Sequence, residues 1–160
     1  MKLRHLTPLS LALFTLGGCA ISPPERSPYG GTDNVDTVSA DSLVGTWNIS
    51  VLNPIEGEEN TSATITLNAD GTTTGTSRGV AGGQEMVIEM NGTWSVDGEY
   101  LVTTMESTAE TSGSAIAKLA QELVSNMMKN RKARGDVFEL SANRVVIVDS
   151  ETRQAQQWTR

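Results

Sequence analysis

Apolar residues alternate with hydroxyl and amide residues at a two-residue period through most of this chain. In the run Leu43 to Val51, Trp47, Ile49 and Val51 alternate with Thr46, Asn48 and Ser50. Successive side chains of an extended strand point to opposite faces, so the run predicts a strand with one dry and one wet face. Asn53 and Pro54 break it, and an acidic loop from Glu56 to Asn60 follows. The same period returns in Ala63 to Leu67 and in the Thr-rich run Thr72 to Ser77. It returns again through Met86, Ile88 and Met90, in Gly92 to Val96, and from Tyr100 to Met105. Asn68-Ala69-Asp70-Gly71 and Asp97-Gly98 separate these runs as hairpin turns, because Asp and Gly tolerate the positive φ that tight turns need. Three more strands are expected at Val137 to Leu140, Val145 to Val148 and Gln154 to Thr159.

One segment has a different period. Ile116, Leu119, Ala120, Leu123 and Met127 recur at spacings of three and four, which predicts an amphipathic helix near residues 114–134. Ser112 or Ser114 would cap its start and Gly135 would end it. Lys129, Arg131, Lys132 and Arg134 would then occupy its last turns, where unpaired carbonyls favour cations. The expected fold is mainly β: a small antiparallel up-and-down barrel of about eight strands, with this helix inserted between the sixth and seventh. Closing the sheet removes its exposed edges.

The first residues carry a different signal. Lys2 and Arg4 precede an apolar run from Leu9 to Leu16, and Leu16-Gly17-Gly18-Cys19 follows. The run is too short to span a bilayer, which takes about 20 apolar residues. A cationic start, a short apolar core and small residues before a cut describe a secretory signal. This segment resembles the lipobox of bacterial lipoproteins. The resemblance implies a signal peptide at residues 1–18 and a diacylglycerol on the Cys19 thiol, with acyl chains anchoring the protein to the bacterial envelope. Ala20 stands where an aspartate would favour retention in the inner membrane of many enteric bacteria. The expected location is therefore the outer membrane, facing the periplasm. Residues 19–41 hold Pro23, Pro24, Pro28, Gly30 and Gly31 among Ser, Thr and Asp, and read as a lipidated cysteine with a flexible tether. The folded domain is expected over residues 42–160.

Composition narrows the chemistry. Past Cys19 the chain keeps 10 basic and 19 acidic residues, a side-chain charge of about −9. That charge disfavours nucleic acid as a partner. His5 is the only histidine and Cys19 the only cysteine, so the expected domain has neither. Ser-His and Cys-His nucleophiles, the usual zinc, copper and haem ligands, and internal disulfides are all excluded. No catalytic residue, metal site or cofactor is expected. The carboxylates Glu56, Glu58 and Glu59 do not have the spacing of a calcium loop.

Several motifs in order resemble the small bacterial lipocalin-like domains. They are Leu43-Val44-Gly45-Thr46-Trp47, the Leu67 to Thr72 hairpin, Gly92-Thr93-Trp94-Ser95-Val96-Asp97-Gly98, and the ending Trp158-Thr159-Arg160. The resemblance implies a binding module, with Trp47, Trp94, Trp158 and Arg160 in structural roles and Arg160 beside Trp47 at a closed barrel end. The helix interrupting the meander departs from the usual lipocalin order. Candidate interior positions are Ile49, Val51, Ile65, Leu67, Met86, Ile88, Met90 and Leu101. An eight-stranded barrel can hold one small ligand or be filled by its own side chains. The expected role is thus non-catalytic binding of a small apolar ligand or an envelope partner. The alternative is a structural accessory with a filled barrel that acts through protein contacts.

Overall fold

The computed structural model describes residues 25–55, 62–81, 84–110 and 131–160. They form a closed barrel in which each strand pairs with the next in chain order and the last pairs with the first. The strands are β1 (Gly45–Val51), β2 (Ser62–Leu67), β3 (Thr72–Ala81), β4 (Gln84–Asp97), β5 (Tyr100–Glu110), β6 (Arg131–Leu140), β7 (Arg144–Asp149) and β8 (Ala155–Thr159). All eight ladders are antiparallel. A four-residue helix, α1 (Ala40–Leu43), precedes β1.

The two-residue period produces this architecture directly. In β2, Ala63, Ile65 and Leu67 are buried while Ser62 is exposed. Ile65 and Leu67 join Trp47, Met90, Leu101 and Trp158 in one core. The β2–β3 turn is held by Asp70, whose carboxylate accepts from the Thr72 amide at 2.9 Å and its hydroxyl at 2.6 Å. These bonds hold the Asp70 carboxyl below its ordinary range, the hydroxyl contributing most. On the outer wall the Thr46 and Thr66 hydroxyls pair across β1 and β2 at 2.9 Å.

Three expectations require correction. Residues 131–134, expected as the last turn of a helix near residues 114–134, belong instead to β6, with Thr104 opposite Lys132 and Val102 opposite Arg134. Lys132 and Arg134 are exposed while Ala133 is half-buried and Gly135 buried, a strand alternation obscured by the run of cations. Gly135 is therefore no helix cap but a mid-strand residue between Leu101 and Asp149. The rest of the expected helix lies outside the described residues.

The second correction concerns strand count. Met86 to Met90 and Gly92 to Val96 are one continuous strand, the 14-residue β4. The connection carrying the three-and-four stripe therefore joins the fifth and sixth strands, not the sixth and seventh.

The third concerns the tether. From residue 25 onward it is a strap laid on the barrel, and the folded unit begins before residue 42. Val38 is only 5% exposed and belongs to the core. The Tyr29 hydroxyl donates to Glu139 at 2.8 Å, and its ring meets Phe138 edge-on with centroids 5.9 Å apart. The Asn34 amide donates to the Phe138 carbonyl at 3.1 Å, and the Val38 amide to the Gly98 carbonyl at 3.0 Å. Paired backbone groups and a few apolar anchors offset the ordering entropy that Pro- and Gly-rich composition otherwise leaves uncompensated.

A β-bulge makes the docking possible. The register shifts between Val137 and Glu139, which leaves Phe138 as the extra residue. Val137 and Leu140 both pack toward the core although three residues apart, because the bulge resets the alternation between them. Phe138 and its carbonyl are thereby offered to the strap. β7 is buried along both faces at Val145, Val146, Ile147 and Val148. The strap runs from Asn53, beside β8, to Phe138 on β6, and so crosses β7, which lies between them.

Candidate functional site

The two barrel ends differ. One end gathers α1, the hairpins at residues 68–71, 98–99 and 141–143, and the last residue, Arg160. It is closed by side chains. The Trp47 indole Nε1–H donates to the Leu43 carbonyl at 2.7 Å, and the Arg160 Nη2–H donates to the Ser42 carbonyl at 2.8 Å. The last carbonyls of a helix have no partner within it. Here Trp47 and Arg160 supply two, and Arg160 also lies over the Trp47 ring, 3.9 Å from its centroid. Gly45 makes the turn into β1 at φ 129, a conformation other residues rarely adopt. Trp94 fixes the neighbouring hairpin by donating from Nε1 to the Asn68 carbonyl at 2.9 Å.

The opposite end opens into a cavity of about 70 Å³. Its apolar wall includes Ile49, Ile65, Met90, Leu101, Met105 and Trp158. Its rim is polar, with Arg26, Asp149, Thr152, Gln154 and Gln156. Gln154, just before β8, and the inward β8 residues Gln156 and Trp158 form a hydrogen-bonded ladder from rim to floor: Gln156 Nε2 donates to Gln154 Oε1 at 2.8 Å, and Trp158 Nε1 donates to Gln156 Oε1 at 3.0 Å. Thr103 adds a buried hydroxyl to the wall.

The rim is held by two side chains. Asp149 Oδ1 accepts from the Glu151 amide, the Thr152 amide and the Thr152 hydroxyl, at 3.0, 2.6 and 2.9 Å, and so shapes the β7–β8 turn. Asn53 is a three-way clamp. Its Oδ1 accepts from the Ala155 amide at 2.7 Å, while its Nδ2 donates to the Ser27 carbonyl at 2.8 Å and the Arg153 carbonyl at 3.0 Å. The Arg26 Nη1 donates to the Asn53 carbonyl at 3.1 Å. The strap therefore enters at the mouth, with Arg26 on the cavity's rim.

Of the candidate interior residues, the barrel brings Ile49, Ile65, Met90 and Leu101 to the cavity. Leu67 and Ile88 are buried in the core without lining it. Val51, at the end of β1, is half-buried and outside the core cluster. Met86 lies in β4, and nothing is stated of its side chain. Cys19 lies outside the described residues. Sequence reasoning missed Met105 and Thr103, although they continue the Leu101 phase along β5. It also missed Gln154, Gln156 and Arg26, since a search for apolar positions passes over polar linings.

Comparison with protein-family models agrees with the barrel fold. A family model described as a lipocalin-like domain matches residues 43–147. The chain belongs to the lipocalin-like domain family. A search of curated protein sequences finds no match. Among solved structures, the chain is similar to a redesigned β-barrel at 13% identity and a TM-score of 0.39, covering 81% of this chain and 98% of that one. Lipocalin-like domains are generally binding proteins rather than enzymes, and the barrel of this lipocalin-like domain suggests a binding role.

Proposed function

We propose that this protein is a lipid-anchored envelope protein whose barrel binds a small apolar ligand, or an apolar group of an envelope partner, without catalysis. The observation that carries the reading is the cavity at the open end, apolar at its floor and polar at its rim. Ligand sites combine an apolar lining with a few placed polar groups that set orientation. The anchor rests on the Leu16-Gly17-Gly18-Cys19 motif, with acyl chains on Cys19 and, given Ala20, the outer membrane as destination facing the periplasm.

Size defines the occupant. The volume of about 70 Å³ is well below the roughly 300–1,000 Å³ of pockets for drug-sized ligands. An apolar cavity of roughly 150 Å³ admits benzene. The interior therefore accepts a slender group, such as the end of an alkyl chain, with the remainder of the ligand at the mouth. The same small volume favours the second reading, a nearly filled barrel acting through protein contacts.

Titration of the purified protein with cis-parinaric acid, a fluorescent probe with a slender apolar chain, separates the two. Saturable binding that is lost in Ala133→Phe, which fills the cavity wall, is the expected result. The variant's thermal midpoint establishes that it is folded. No saturable binding by the unaltered protein overturns the ligand reading in favour of protein contacts.

A further inference from the structure

The strap fixes where the described chain leaves the barrel. Arg26 lines the cavity rim, and Ser27 is bonded to Asn53 at the same end. Cys19 lies seven residues before Arg26, and seven fully extended residues reach at most about 25 Å. The strap is clamped beside the β7–β8 turn, and the six residues of β7 separate that turn from the closed end, about 15 Å at a rise of about 3.3 Å and a tilt of about 40°. The described chain thus leaves the barrel at the mouth, about 15 Å from the closed end. Among the described residues, the large apolar side chain that is exposed is Leu52, on the β1–β2 connection at the mouth.

We propose that the open mouth of the barrel faces the lipid surface to which the chain is anchored, so that the cavity exchanges its occupant with the bilayer. The partner is the lipid surface itself. The proposal rests on the lipid-anchor reading of Cys19. The strap is the orienting device: it converts one covalent anchor into a preferred face, because the anchor's path begins at the rim and not at the closed end. An apolar occupant then passes between bilayer and barrel over a short distance, without crossing the aqueous phase.

Orientation is measured on the full lipidated protein in vesicles of phosphatidylethanolamine and phosphatidylglycerol that carry a headgroup-linked nitroxide. With Cys19 acylated, an introduced cysteine is the free thiol for a fluorophore. Glu151→Cys places it at the mouth and Asn143→Cys at the closed end, both at exposed positions. Quenching should be several-fold stronger at residue 151. Equal quenching, or stronger quenching at residue 143, in protein that co-floats with the vesicles overturns the orientation while leaving the anchor intact. Failure to co-float overturns the anchor and the orientation together. In Asn53→Ala the strap loses its clamp, and the difference between the two labels should collapse with flotation unchanged. A difference that persists in that variant overturns the strap as the orienting device.

Discussion

The Arg160 guanidinium lies over the Trp47 ring at 3.9 Å and donates to the Ser42 carbonyl, so one side chain closes the barrel end and terminates α1. Its partner Trp47 is fully buried and donates to Leu43. Arg160→Ala should lower stability by about 1–2.5 kcal/mol, an exposed cation–π contact of about 0.5–1 kcal/mol plus a solvent-exposed hydrogen bond of about 0.5–1.5 kcal/mol. Trp47→Phe keeps a ring for Arg160 but leaves the Leu43 carbonyl unpaired in a buried site. It should cost about 1–3 kcal/mol more than the loss of packing alone. Urea unfolding of both variants checks the pair, and an Arg160→Ala midpoint equal to that of the unaltered protein would remove the contact's energetic role.

Asn53 ties three separate segments together at the mouth. Asn53→Ala removes the bonds to Ala155, Ser27 and Arg153 in one step. The strap should then detach locally more often than the barrel unfolds. Trypsin cuts after arginine, and Arg26 is followed by Ser27. Brief digestion should therefore cleave after Arg26 much faster in the variant than in the native protein. The barrel fragment should persist in both, because exposed segments are cut first. Equal rates would mean that the strap is not held by this clamp.

Asp136 gives stability a pH dependence of known sign. Burial raises its pKa first, and the nearby Asp33 and Glu99 carboxylates raise it further, while Arg153 and Arg134 oppose the shift. Its Oδ1 is buried and finds no hydrogen-bond partner among the described residues. A carboxyl whose folded pKa is raised stabilises the fold when protonated. That contribution is complete below the ordinary aspartate range and is lost as pH rises through the folded pKa. Asp136→Asn should therefore raise the urea midpoint at neutral pH, and the gain should vanish below the ordinary aspartate range. A gain that grows on acidification would contradict the assignment.

The barrel was legible because its strands keep one period for long stretches. Ile49, Ile65, Met90 and Leu101 each fall on the dry phase of an alternating run, and all four reach the cavity. The strap was not legible. Its docking depends on sparse residues such as Tyr29 and Val38 in a polar stretch, and on Phe138, which a bulge turns outward. A bulge is a shift of register between two strands and leaves no local mark in either one. Arg131 to Arg134 misled for a related reason. Their positive charge suits a helix end, yet Lys132 and Arg134 alternate with Ala133 and Gly135 as a strand requires. The polar rim escaped because glutamines at Gln154 and Gln156 look like an outer face until the ladder to Trp158 shows them turned inward.

Gly92 looks like a break between two strands and is instead what allows one long strand. It stands between Thr73 on β3 and Met105 on β5. A Cβ at this position would lie 2.0 Å from the Thr104 carbonyl oxygen and 3.0 Å from the Met105 Cα. These are backbone atoms of a strand paired on both sides, so they cannot retreat without breaking rungs of the sheet. The close approach lets the 14-residue β4 coil with the barrel wall. Gly92→Ala should therefore destabilise by about 3 kcal/mol, the upper end of overpacking costs. Two other glycines calibrate the effect. Gly30 has nothing within 4 Å of a built Cβ, and Gly30→Ala should stay within about 0.5 kcal/mol of the unaltered protein. Gly98 also has open space but sits at φ 66, so Gly98→Ala should cost about 1–2 kcal/mol from backbone conformation alone. Urea unfolding of the three variants should rank them Gly30→Ala, Gly98→Ala, Gly92→Ala in increasing cost. A Gly92→Ala variant as stable as Gly30→Ala would show that β4 and β5 do not approach this closely.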